Sequence, residues 1–274
     1  MALRRGRFFL ALLGLLASMT ASLFAQTYES TPRVRSTDPA TLRSLGIAAE
    51  IHKRFSLGLA ALEHHDAAHA AAEFERILAL HPKEPQGSTA LYDLGLAQTQ
   101  LGHLAQAQSQ FTAAIGLDPG FLAAMANVIV IALQRNDLTS ARVAADQFLA
   151  RAPDSARALY SGGLVALRSG NLAVAQTDFS KLTQLNPASA TAHYTLAVAQ
   201  IQANSLAEAE RELRLALERS PRYAAARLAL GTVLLRMGRR EEAREAFELA
   251  ARDSNDAALK NLAASMRDSI PAAH

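Results

Sequence analysis

Residues 156–189 read ARALYSGGLVALRSGNLAVAQTDFSKLTQLNPAS, and the surrounding chain repeats this stretch at a fixed interval. Pro187 lies 34 residues after Pro153 and 34 before Pro221; Pro119 continues the series backwards at the same step, and Pro82 precedes it by 37. Five of the nine prolines therefore share one column. Twelve residues before each of them stands an alanine: Ala70, Ala107, Ala141, Ala175 and Ala209, with Ala243 extending the series. Four residues after each alanine comes Phe74, Phe111, Phe179, Leu213 or Phe247, with Ala145 as the exception. Earlier in each interval a Leu-Gly-like pair recurs as Leu57-Gly58, Leu94-Gly95, Val128-Ile129, Gly162-Gly163, Leu196-Ala197 and Leu230-Gly231. A period of this length is the signature of a repeat architecture.

On these columns the chain resembles the tetratricopeptide repeat family, whose 34-residue unit is a pair of antiparallel helices. The matching repeats are 51–84, 88–121, 122–155, 156–189, 190–223 and 224–257, with a three-residue insertion at 85–87. Two columns depart from the family. Its usual Trp is replaced by Arg54, Leu91, Met125, Leu159, His193 and Arg227, and the last repeat has Asn255 at the proline position. The resemblance implies an all-α fold, a right-handed α-solenoid of about six helix-turn-helix repeats with a C-terminal capping helix.

Physical chemistry accounts for the columns. Small residues at the Gly and Ala positions let helices approach closely, and the bulky residue one turn after the Ala fills the space between them; i and i+4 share a helix face. The proline cannot extend the second helix and biases its predecessor away from the helical region. Gly102, Gly170 and Gly238, with Asn136 and Asn204, fall between the paired helices, where a left-handed residue ends a helix. One repeat cannot bury its apolar face alone, so stacking is obligatory and the ends need caps. The helical, charge-bearing stretch Asp256 to Ser269 predicts the cap, within a C-terminal segment 258–274 of capping helix and tail.

The N-terminus differs from the rest. Arg4, Arg5 and Arg7 precede the apolar run Phe8 to Ala17, small residues follow, and Phe24-Ala25-Gln26 offers a cleavage point. That order predicts a secretory signal peptide over 1–25 and an exported, periplasmic protein. Leu23 is large for the minus-three position, so cleavage after Ala21 is an alternative. An uncleaved inner-membrane anchor is a second alternative, for which the 17 residues Phe8 to Phe24 are short. Membrane contact is expected only through this segment. Residues 26–37 read as a flexible linker, and 38–50 as a helical lead-in starting at Asp38-Pro39.

Composition excludes several functions. The absence of Cys removes disulfides, thiol nucleophiles, thiolate metal sites and a Cys-linked lipid anchor. The net charge of +3 is supplied by Arg4, Arg5 and Arg7; from Gln26 onward 25 basic residues face 25 acidic ones. No phosphate loop, H-E-x-x-H, G-x-S-x-G or acidic calcium loop occurs, so no enzyme, cofactor or metal is predicted. His64, His65 and His69 are the nearest approach to a metal site, and a metal-handling role through them is the weakest alternative. The run Arg239 to Glu245 alternates in sign and reads as a solvated helix face. Clustered cations beside exposed aromatics are missing, so no nucleic acid is expected.

The resemblance further implies a concave groove lined by the first helix of each repeat. The candidate peptide-binding positions are Phe55, Leu59, Tyr92, Leu96, Asn127, Val130, Tyr160, Leu164, Tyr194 and Val198, bordered by Arg157, Arg168 and Arg236. Leu62, Leu133 and Ile201, one turn further on, are expected in the core, and Tyr92, Tyr160 and Tyr194 exposed with their hydroxyls in reach of a partner. The Lys and Asn set with which chaperone-binding family members hold a C-terminal carboxylate is not matched. The chain thus reads as a non-catalytic interaction scaffold or assembly factor of the cell envelope that binds a protein or peptide segment. A self-assembling structural protein is the alternative.

Overall fold

The structure is a computed structural model, and it describes residues 38–271. Among these, thirteen helices run in sequence and there is no strand. They are α1 (Pro39–Glu63), α2 (Ala67–Ala79), α3 (Gln86–Gln100), α4 (Leu104–Leu117), α5 (Leu122–Gln134), α6 (Leu138–Arg151), α7 (Ala156–Arg168), α8 (Leu172–Leu185), α9 (Ala190–Gln202), α10 (Leu206–Arg219), α11 (Ala224–Arg236), α12 (Arg240–Asp253) and α13 (Ala257–Asp268). The expected signal peptide and linker lie outside the described residues. Two compact halves divide after Asp137, so that α1–α5 belong to the first and α6–α13 to the second. Within each half consecutive helices pack on one another.

One turn geometry recurs inside every helix pair. The residue that ends the first helix has positive φ: His65, Gly102, Asn136, Gly170, Asn204 and Gly238. At each of the six, the next residue's N–H reaches back five residues to a carbonyl, from Asp66 to Ala61 (2.8 Å) through Arg239 to Leu234 (2.9 Å). This double wrap satisfies carbonyls that the helix end would leave bare. His65, with φ 59°, thus takes the position held by Gly or Asn elsewhere, and the histidine turn is a structural helix end. Side-chain caps set the starts of other helices: Asp66 accepts from the His69 N–H, Ser155 from Ala158, Asn171 from Val174, Ser189 from Ala192 and Asp256 from Ala258. Each proline of the repeated column follows the end of a second helix within three residues.

The core is the Ala, Gly and Phe columns meeting. The six column alanines are completely buried, as are Phe74, Phe111, Phe179, Leu213 and Phe247 to within 1%. Burying each phenyl ring contributes about 2–3 kcal/mol. In the repeat with Ala145 the sizes are exchanged: buried Ile129 stands where others have Gly, and Phe148 is buried one turn past Ala145.

At the two ends the packing is closed differently. α1 is one continuous helix of 25 residues, uniting the lead-in with the first repeat, and residues 43–49 are exposed along it. At the other end Ala263 of α13 is completely buried beside Ala250 and Ala251. The Arg244 guanidinium donates to the carbonyls of Ile270 (3.1 Å) and Pro271 (2.8 Å), fixing the chain after the cap.

Candidate functional site

Each half carries part of the predicted stripe on its first-of-pair helices, and the two parts differ. In the first half Phe55, Leu59, Leu96 and Val130 are half-buried, whereas Tyr92 and Asn127 are buried. The expectation that Tyr92 is exposed is therefore corrected. Its ring lies 5.4 Å from that of Phe111 and 4.8 Å from that of Phe121, and Asn127 Nδ2 donates to its hydroxyl at 3.3 Å. Tyr92 and Asn127 hold α3 against α5, and neither offers a side chain to a ligand. Beside them Asp93 is also buried, and burial pushes its carboxyl up to about 7.

In the second half the stripe stays accessible. Tyr160 and Leu164 on α7 and Tyr194 and Val198 on α9 are all half-buried. Tyr160 packs at its base on the α7–α9 core, with its ring 6.3 Å from that of Phe179. Of the positions expected in the core, Leu133 is buried, but Leu62 and Ile201 are only half-buried at the core's edge. They end their stripes rather than sit beneath them.

A fourth tyrosine completes the second-half face. Tyr223, just before α11, has its ring 5.1 Å from that of Tyr194 and shares a side-chain hydrogen bond with Thr191. Burial pushes its hydroxyl up to about 12, with Tyr194 adding to the shift. Burial likewise raises Tyr160 and Tyr194, the latter also through Tyr160. All three stay neutral O–H donors at any pH the fold experiences. The signal for Tyr223 is in the sequence: it follows Tyr194 by 29 residues, as Phe121 follows Tyr92, while Ser189 holds the matching place after Tyr160.

Two of the Trp-column substitutions turn out to be polar bridges between paired helices. Arg54 on α1 donates to Glu73 on α2 at 2.9 Å, and His193 Nδ1 on α9 lies 2.8 Å from Glu212 on α10. Both glutamates are buried. Burial opposes ionisation of Glu73, but the hydrogen bond from Arg54 and the charges of Arg76 and Arg54 outweigh it and hold the carboxyl below its usual range. Arg227 instead reaches Asp253 at 3.1 Å. Just before α12, Arg239 pairs with Glu242 three residues on, and also with Glu210 on α10 at 2.7 Å, tying neighbouring repeats together.

Among the described residues no group of three His, Cys, Asp or Glu side chains is placed to hold a metal ion. None of the described helices is long and apolar enough to cross a membrane.

Comparison with known proteins agrees with this architecture. Family models described as tetratricopeptide repeat match residues 55–120, 92–156, 131–175 and 160–224, and a second such model matches 206–266. The chain belongs to the tetratricopeptide repeat family. No curated protein matches it at the level of sequence. Among solved structures, a tetratricopeptide repeat protein from Parabacteroides merdae aligns over 81% of this chain and 100% of its own, with a TM-score of 0.60 and 17% identity. YrrB, described as a tetratricopeptide repeat protein with an unusual peptide-binding site, aligns over 72% of this chain and 100% of its own (TM-score 0.56, 18% identity). MamA from Desulfovibrio magneticus aligns over 64% and 97% (TM-score 0.58, 18% identity). At these identities the likeness is one of fold. A tetratricopeptide scaffold fits protein–protein interaction in general, and such proteins are generally non-catalytic.

Proposed function

We propose that this tetratricopeptide protein is a non-catalytic scaffold that captures a segment of a partner protein on the α7–α9–α11 face of its second half. One observation carries the reading: Tyr160, Tyr194 and Tyr223 form a half-buried row of neutral hydroxyls, with Leu164 and Val198 beside it. Tyrosines placed this way supply apolar contact area at low entropic cost, and a donor at the tip. The likeness to YrrB is in keeping with it.

The test is selection from a displayed library of random 12-residue peptides on the full chain. Peptides should be recovered, and a Tyr160→Ala/Tyr194→Ala/Tyr223→Ala variant should lose them at least tenfold while keeping its helical circular dichroism. Recovery of nothing above background, or peptides indifferent to the triple substitution, would overturn the reading.

A second reading, self-assembly, is favoured by exposed Leu45, Ile47 and Leu57 on α1. Sedimentation of the full chain over a hundredfold concentration range decides it, a monomer throughout counting against it. For the N-terminal segment we propose export, with cleavage after Ala25. The intact mass of the protein recovered from the envelope fraction tests this, an uncut chain counting against it.

A further inference from the structure

The first repeat is bare on a side that every later repeat has covered. Leu57 on α1 is 43% exposed, whereas its counterparts Leu94, Val128, Leu196 and Leu230 are 3–8% exposed. Lys53 is exposed where the later repeats bury Ala90, Ala124, Ala158, Ala192 and Ala226. Ala60 is exposed too, while its counterparts from Ala97 to Val233 are buried. In a later repeat this side meets the second helix of the repeat before it. A Cβ on Gly162, the counterpart of Leu57 on α7, would lie 2.6 Å from Leu149 on α6. Among the described residues no helix precedes α1 to fill that place, and the end of a repeat stack needs a cover.

The same helix carries a bare extension. Residues 43–49, ahead of the first repeat, are exposed on α1, with Leu45 and Ile47 among them. Extension and uncovered side are of equal length, residues 40–50 and 53–63 of one helix. One stripe joins them: Gly46, Glu50, Lys53 and Leu57 follow at intervals of four, three and four, on one side of the helix. Those intervals read the same from either end. When two α1 helices lie antiparallel, centred between Ile51 and His52, Glu50 of each copy stands opposite Lys53 of the other. Leu57 of each then stands opposite Gly46 of the other.

Within one copy these residues have no such use. Lys53 forms no ion pair among the described residues, and Glu50 holds Arg54 at 2.5 Å with its side chain still 38% exposed. A Cβ on Gly46 would meet nothing within 4 Å. Glycine weakens a helix, and Gly46, unlike Gly58 or Gly163, makes no room for a side chain of its own copy.

We infer that α1 is the two-fold contact of a homodimer, in which the extension of each copy covers the bare first repeat of the other. The inference rests on the self-assembly reading above and gives it a geometry. Such a pairing uses one patch twice and closes on itself, so assembly stops at two copies. It uses no residue of the tyrosine face.

The chain contains no Cys, so introduced cysteines report the pairing. Gly46→Cys and Leu57→Cys chains, mixed and left to exchange, should form a disulfide-linked dimer under mild oxidant. Neither should do so alone, because residues eleven apart on a helix stand about 16 Å apart along its axis, beyond disulfide reach. In sedimentation the full chain should be a dimer. Glu50→Lys and Lys53→Glu each set like charges opposite one another and should each weaken it at least tenfold, with helical circular dichroism unchanged. The two changes together should restore it to within threefold. A monomer at every concentration would overturn both this inference and self-assembly. An oligomer whose mixed chains do not cross-link, whose single-cysteine chains cross-link alone, or whose double charge exchange restores nothing would overturn the two-fold pairing and leave self-assembly standing.

Discussion

Gly163 stands directly over the ring of Phe179: a Cβ placed on it would lie 2.5 Å from Cε1. The same closeness recurs between Gly58 and Phe74, Gly95 and Phe111, and Gly231 and Phe247. Mid-helix glycine costs about 1 kcal/mol relative to alanine. Here that cost is offset by the approach it allows, since the Phe179 ring is 1% exposed and has nowhere to turn.

Gly163→Ala should therefore destabilise the protein by about 1–3 kcal/mol despite its better helix propensity. Gly163→Ala with Phe179→Leu should cost less than the sum of the two single changes, because the smaller side chain vacates the clash. Urea unfolding of all three variants checks this. Additive costs would show that the pair is uncoupled.

Asp93 makes stability depend on pH. Its carboxyl sits at about 7 against an ordinary 3.8, so the folded chain holds a proton that the unfolded chain releases. The stabilisation this gives is full below 3.8, diminishes as pH rises, and is gone above about 7. Asp93→Asn cannot ionise. Its advantage over the natural protein should grow by roughly 2–3 kcal/mol from pH 5 to pH 8. Denaturant melts of both proteins at the two pH values measure it, and a constant difference would refute the assignment.

His193 is wedged between two acceptors, Glu212 Oε2 at 2.8 Å and the Pro187 carbonyl at 3.2 Å. Removing one member strands the other in the interior. Glu212→Leu should cost about 1–3 kcal/mol by leaving a buried imidazole nitrogen without its partner, whereas His193→Leu with Glu212→Leu should come back to near neutrality, because both polar groups are then replaced by apolar ones. Leu159 already fills the His193 column one repeat earlier. Thermal melts of the single and double variants decide it.

Arg244 holds the C-terminal end through the Ile270 and Pro271 carbonyls. Arg244→Ala should leave the global melt within a few degrees and speed hydrogen exchange across α13, the terminal helix, by about tenfold or more. Unchanged exchange in Ala257–Asp268 would show that the buried contacts of Ala263 and Ile270 suffice.

The helix pairs were legible because their columns are direct consequences of close packing: Gly over Phe, Ala at the crossing, Pro past the end. The difference between Tyr92 and Tyr160 was not legible on one helix, since both occupy the same place in the repeat. It is made 29 residues later, where Phe121 covers one and Ser189 leaves the other open. The link from Arg239 to Glu210 is likewise invisible on either segment alone, because it exists only when one helix pair is laid on the next. The imidazoles of the histidine turn suggest a metal only as the weakest alternative, and the backbone uses His65 for its φ.

An array of near-identical helices runs a risk while it folds: a first helix can dock on the second helix of a different repeat. The Arg54–Glu73 and His193–Glu212 bridges make such errors expensive. Laid against α6, Arg54 would meet Ala144 at the position where Glu73 belongs and would lose its acceptor on the paired helix, keeping only Glu50 on its own. The two bridges thus bias a first helix toward a partner with a carboxylate at that position, which α2, α8 and α10 supply as Glu73, Asp178 and Glu212, and away from α4, α6 and α12, which carry Gln110, Ala144 and Ala246 there.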